Sequence, residues 1–244
     1  MLFKGGEDNS SSSLTTNTAL SLGEVPTAVL SGSQEYIAKY GCADEQDITF
    51  SLASDLNHFD PMVVPLGKTD GNTITISTLI DGPGEQRSVG IHETGHACSV
   101  GLQMLDSVYE HPYFGGVPLV GAEGFKGYFA DNSYMTEMEE GVIEWLSGQI
   151  SNYEFSDDPG YIAASTLTDM IVIERSLSAD QIQDLQQNSN LVGYIALVKD
   201  KNLEDVNASD ISDILMLYQN AFIKGTVPTP EELTLYLNFV TSTT

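Results

Sequence analysis

The chain has 244 residues and sets 35 Asp and Glu against 9 Lys and Arg, a formal net charge of −26. A surface that acidic repels phosphate backbones, which excludes nucleic acid as a partner, and no apolar run approaches the ~18 residues of a membrane span. With 41% hydrophobic residues the chain can bury one large core, or two lobes sharing a cleft; the acidity reads as a source of solubility more than as a trap for basic substrates.

Residues 1–20 are polar and rich in Ser and Thr, with no apolar stretch of the kind a signal peptide needs. They read as a disordered tether and point to an extracytoplasmic protein, secreted or surface-anchored. Cys42 and Cys98 allow one disulfide, although Cys98 also reads as a small core residue, and two cysteines do not settle a compartment.

A short helix is expected over 33–40, stopped by Gly41. Residues 47–53 alternate apolar and polar side chains and read as a strand. After a loop over 54–70 that contains His58, the Asp70-Gly71 turn leads into 72–80 (NTITISTLI), the clearest strand pattern in the chain.

Next comes the stretch 87–104, RSVGIHETGHACSVGLQM, with His92, Glu93 and His96 in an H-E-x-x-H pattern. Four residues along a helix return a side chain almost to the same face, roughly 6 Å further on, so both imidazoles can reach one metal ion. Glu93 stands one step round, where a carboxylate can take a proton from a water at the metal. Ile91, Gly95, Cys98 and Leu102 form an apolar stripe along the same helix.

Residues 106–131 show little periodicity and many glycines, which suggests a substrate-binding loop or lid. From 132 onwards the pattern turns helical, with helices over 136–150, 161–175, 179–187, 191–200, 209–223 and 229–240. The expected architecture is α+β: a small mixed-sheet lobe over 21–131 that carries the metal helix, then a mainly helical lobe over 132–244.

A catalytic zinc needs three protein ligands and one open position. The metzincin arrangement would require glycine at 99 and histidine at 102, where this chain has Ser99 and Leu102. A carboxylate from a later helix is the alternative. In 136–146 (TEMEEGVIEWL), Thr136 and Glu139 can form a capping box that starts such a helix. Glu140 is the favoured third ligand, with Glu139 and Glu144 as rivals; a solvated stripe of Glu137, Glu140, Glu144 and Ser147 is the plain reading of the same residues. Gly141 argues for tight packing instead.

HETGHA at 92–97 followed by EEGVIEWLS at 139–147 resembles the gluzincins, the zincin metallopeptidases that include thermolysin and several aminopeptidases. The resemblance implies a zincin-like fold, a Zn²⁺ cofactor held by His92, His96 and Glu140, and Glu144 as the residue that orients His92. It implies peptide or protein as substrate, paired by strand addition along the strand over 72–80 and hydrolysed with Glu93 as general base. The chain departs from that pattern in the 43 residues between His96 and Glu140 and in having Glu139 where an Asn is usual. For the oxyanion-stabilising group, Tyr134 and His111 are the candidates, ahead of Tyr113 and Tyr128. A non-catalytic or toxin-like surface binding protein on the same scaffold is the competing reading.

Overall fold

In the computed structural model, residues 25–42, 48–53, 56, 66–109 and 116–238 are described. The Ser/Thr tract, His58, His111 and Tyr113 lie outside them. The chain is mixed α and β, with eight helices and two small sheets among the described residues. No helix among these residues is long and apolar enough to cross a membrane.

The first sheet has three strands: β1 (Thr49–Ala53), β2 (Gly67–Asp70) and β3 (Thr73–Ser77), in the order β1-β3-β2. β3 is parallel to β1 and antiparallel to β2, with Thr69 opposite Ile74 and Gly67 opposite Ile76. Period-2 alternation puts Phe50, Ile74 and Ile76 on one buried face. The strand expected to offer an edge to substrate is therefore the central one, with both edges taken. Among the described strands β2 is at the border instead, because the Asp70-Gly71 turn folds it back along β3.

α1 (Thr27–Tyr40) and α2 (Pro83–Ala97) pack against each other, and α2 lies against β2 and β3. α2 begins earlier than expected, because Pro83 at its first position needs no amide partner. It also ends earlier: Leu102 lies beyond it and is half exposed, not part of a buried stripe. Two glycines let the helices touch backbone to backbone. A Cβ on Gly32 would stand 2.1 Å from the Arg87 carbonyl oxygen, and one on Gly90 2.2 Å from that of Val29. Gly90→Ala is expected to cost at least about 2 kcal/mol in chemical unfolding, since rigid backbone must move and overpacking outweighs the gain in helix propensity.

Arg87 ties this pair to residues 151 and 152, further along the chain. Its guanidinium meets the Glu35 carboxylate and donates to the carbonyls of Ser151 and Asn152, at 2.7 and 2.8 Å. A disulfide joins Cys42 to Cys98, stapling the chain after α1 to the end of α2.

The glycine-rich segment expected as a loop is largely a second sheet: β4 (Gln103–Tyr109), β5 (Leu119–Glu123), β6 (Lys126–Phe129) and β7 (Tyr134–Met135), antiparallel in that order. Leu119, Ala122, Phe125 and Phe129 from this sheet are buried with the later helices, not with the first sheet. Cross-strand pairing supplies the regularity that the one-dimensional pattern lacks.

The remaining helices are α3 (Glu137–Gly148), α4 (Pro159–Arg175), α5 (Ala179–Gln187), α6 (Leu191–Lys199), α7 (Ala208–Lys224) and α8 (Pro230–Asn238). Their caps explain their bounds. Asp158 accepts from Gly160 N ahead of α4, and capping boxes start α5 at Ser178 with Gln181 and α7 at Asn207 with Asp210. Gly141 lets α3 and α4 meet closely, since a Cβ there would lie 2.6 Å from that of Ala164.

Candidate metal centre

α2 and α3 lie side by side and point their histidines and glutamates at one another. A Cβ on Gly95 of α2 would sit 2.9 Å from Ile143 Cγ2 on α3, so this glycine sets the distance across which the ligands meet. His92 Nε2 is 3.1 Å from His96 Nε2, and these two nitrogens are 3.2 and 3.3 Å from Glu140 Oε2. Among the described residues these three form the one group of His, Cys, Asp or Glu able to hold a metal ion.

The other face of each imidazole is held by a carboxylate. His92 Nδ1 is 3.0 Å from Glu144 Oε2, and His96 Nδ1 is 3.3 Å from Glu139 Oε1. An ionised carboxylate only accepts, so each Nδ1 donates, and a ring in its neutral form turns a bare Nε2 lone pair toward the other two members of the group. With the Glu140 oxygen, three electron pairs then converge on one point, where a proton sits in the metal-free chain and a metal ion can take its place. Such an arrangement calls for a cation, and the residues fit a metal on that ground.

Both orienting carboxylates are buried and fully used. Glu144 also accepts from the Tyr153 hydroxyl and, at 2.8 Å, from Ser156 N. Glu139 accepts from Phe125 N at 2.6 Å and from Gln186 Nε2 at 2.7 Å. The capping box expected between Thr136 and Glu139 does not form, because the Glu139 side chain is drawn inward to these donors. Gly124, at φ +55°, wraps the β5–β6 turn around it; a Cβ there would fall 2.5 Å from Glu139 Oε1. Bonds of this kind fix the tautomer and raise ligand basicity.

The charges answer to this crowding. Burial pulls His92 down, but Glu140 and Glu144 more than offset it and hold its pKa at about 9 in the metal-free chain. Burial likewise lowers His96, and Glu140 and Glu139 carry it well above the ordinary imidazole range. Burial raises Glu140, yet the neighbouring His96 and His92 take its carboxyl far below the usual range. A histidine with a raised folded-state pKa contributes stability that is complete below its unfolded value of 6.5 and is lost as pH rises through about 9. Metal-stripped protein is therefore expected to lose thermal stability between neutral pH and pH ~10, a loss that added metal should suppress in differential scanning calorimetry.

Glu93 lies beside the metal group, buried, with Oε2 2.8 Å from Thr69 Oγ1 of β2. Burial pushes its carboxyl up, against the pull of His92 and His96. Tyr134 is half exposed on β7, its ring 4.5 Å from Lys126 Nζ and 6.0 Å from the ring of Tyr128. Among the described residues, the tyrosine whose ring meets that of His92 is Tyr161, in the first turn of α4. Its ring meets that of His92 at 5.8 Å, and its hydroxyl is pushed well up by burial and by the charges of Glu140 and Glu93.

Tyr161, Thr69 and the role of Glu139 toward His96 escaped the sequence reading. Glu139 carried a usable signal, since two adjacent carboxylates opposite two histidines can serve as ligand and orienter. Tyr161 and Thr69 carried none, as nothing local marks a tyrosine in a first turn or a threonine on a short strand. A groove of about 510 Å³ lies elsewhere, lined by residues of α7 and α8 such as Met216, Asn220 and Lys224, and includes none of the metal group.

The fold and site thus define a mixed α and β chain with a buried His-His-Glu group able to hold a metal ion. No family model matches the chain, and no curated protein or solved structure matches it either.

Proposed function

We propose that this chain is a zinc-dependent metallopeptidase of zincin-like fold. The observation that carries the reading is the convergence of His92 Nε2, His96 Nε2 and Glu140 Oε2, with Glu93 beside them. Zinc bonds to nitrogen and oxygen are about 2.0–2.2 Å, so tetrahedral neighbours stand about 3.3–3.5 Å apart. The observed triangle of 3.1–3.3 Å is close to that. Calcium favours longer bonds and six to eight oxygen ligands.

Zinc, when bound, supplies Lewis acidity and makes a water nucleophilic near neutral pH. Glu93 takes the proton of the attacking water and delivers it to the leaving amine. His92 and His96 stay neutral, their tautomers set by Glu144 and Glu139. β2 lies beside the metal group with Thr69 against Glu93, and its edge away from β3 can pair with an extended peptide, main chain to main chain. Tyr161 replaces Tyr134 as the donor to the developing oxyanion. Tyr161→Phe is expected to lower kcat by about 10²-fold with zinc content unchanged; a larger loss in Tyr134→Phe would return the role to that residue. The Cys42–Cys98 disulfide supports an extracytoplasmic location, where such bonds persist.

The test is metal analysis of the purified chain together with a peptide-library digest. Cleavage should vanish on chelation and return with zinc. A zinc-replete chain that binds no metal, or binds it and cleaves nothing, refutes the reading.

A further inference from the structure

Thr69 stands on β2, one of the two border strands of the first sheet among the described residues, and its side chain faces α2. Its hydroxyl oxygen is 3.0 Å from the main-chain carbonyl of Glu93 and 2.8 Å from Oε2 of the same residue. One hydroxyl proton is thus shared by two acceptors on one residue, and the side chain of Glu93 is clasped back toward its own backbone. Two residues earlier on β2, Gly67 leaves room for the clasped carboxylate: a Cβ there would fall 2.7 Å from both Cγ and Oε1 of Glu93. Oε1 has no hydrogen-bond partner among the described residues, nor is it among their sealed, unpartnered atoms. Among the described residues the two carboxylate oxygens are therefore unequal: Oε2 is held by the strand, whereas Oε1 packs under Gly67 and accepts no hydrogen bond from them.

We propose that Thr69 is a positioning residue for the general base: it holds Oε2 of Glu93, so that Oε1 is the oxygen that accepts the proton from water. This role rests on the metallopeptidase reading above. A glutamate has three side-chain torsions, and a base displaced by about 1 Å can lose ~10² in rate. The clasp removes that freedom before substrate arrives. The same strand offers its outer edge to the peptide, so the group that aligns the substrate also aligns the base.

The experiment compares Thr69→Val, which keeps the branched shape without the hydroxyl, with Thr69→Ser, which restores a hydroxyl. Zinc content, KM and kcat are measured on the full chain, with unfolding midpoints for Thr69→Val, Glu93→Ala and the double variant. Thr69→Val should keep its zinc and keep KM within about twofold while kcat falls about 10- to 100-fold. Thr69→Ser should recover most of that loss. In unfolding, Thr69→Val should matter less in the Glu93→Ala background than in the parent.

Equal kcat in Thr69→Val and an active parent overturns the role and leaves the peptidase reading standing. So does a fall that Thr69→Ser does not repair, a loss of zinc in Thr69→Val, or additive unfolding effects. A parent that binds zinc and cleaves no peptide overturns the peptidase reading itself, and the role of Thr69 with it.

Discussion

Glu93→Gln is expected to lower peptide hydrolysis by about 10³-fold or more while the protein keeps its zinc and its fold. Glutamine has the shape of glutamate and still offers an oxygen to Thr69, so the clasp and the packing under Gly67 survive. What it lacks is a basic oxygen. Stability should change little, because burial already disfavours the charged form of Glu93. The measurement is kcat on a good peptide alongside zinc stoichiometry and a melting curve. A variant that matches the parent in every assay would remove Glu93 from the chemistry and leave a zinc-binding surface protein on this scaffold as the surviving explanation.

Removal of the metal should have the second large effect, this time on stability. The ligands come from two elements with separate supports: α2 packs with α1 and the first sheet, whereas α3 packs with α4 and the second sheet. An ion held by both binds the folded state alone, and at 1,000 times its dissociation constant it adds about 4 kcal/mol. For a chain of this size that is about 10 °C in melting temperature. A chelator should impose that shift on the parent and almost none on Glu140→Ala, which lacks the carboxylate that closes the triangle. Equal shifts in both would mean that Glu140 is not a ligand.

The centre of the site was legible because its parts are local. His92, Glu93 and His96 lie within about one helical turn, so the 3.6-residue period alone places both imidazoles on one face. Most helix bounds in the second half were legible for a similar reason: caps such as Ser178 with Gln181 act over three residues. The expected helix over 179–187 coincides with α5, and that over 161–175 differs from α4 only by the turn that Asp158 and Pro159 start. Gly141 signalled close packing correctly, and Ala164 is what it meets.

Other features needed partners far away in the chain. The capping box at Thr136 was a sound local expectation that lost to stronger donors, Phe125 N, Gln186 and His96, at Glu139. The strand pattern over 72–80 was right about a strand, but the edge expected to take up substrate is already paired, because β3 is central in its sheet. Alternation reports which side chains are buried, while strand order depends on which neighbours take up the backbone hydrogen bonds.

The amino-acid sequence by itself determined the pairing of His92 and His96 on one helical face, the place of Glu93 beside them, the helix that carries Glu140 and the helical character of the second half. All of these follow from periodicity and capping within a few residues. Tertiary structure alone decided that Glu139 serves His96, that Tyr161 stands over His92, that β2 is at the border of its sheet and that Thr69 grips Glu93. Those pairings join residues dozens of positions apart, and only the packing of α2 against α3 and of β2 against α2 brings them within hydrogen-bonding reach.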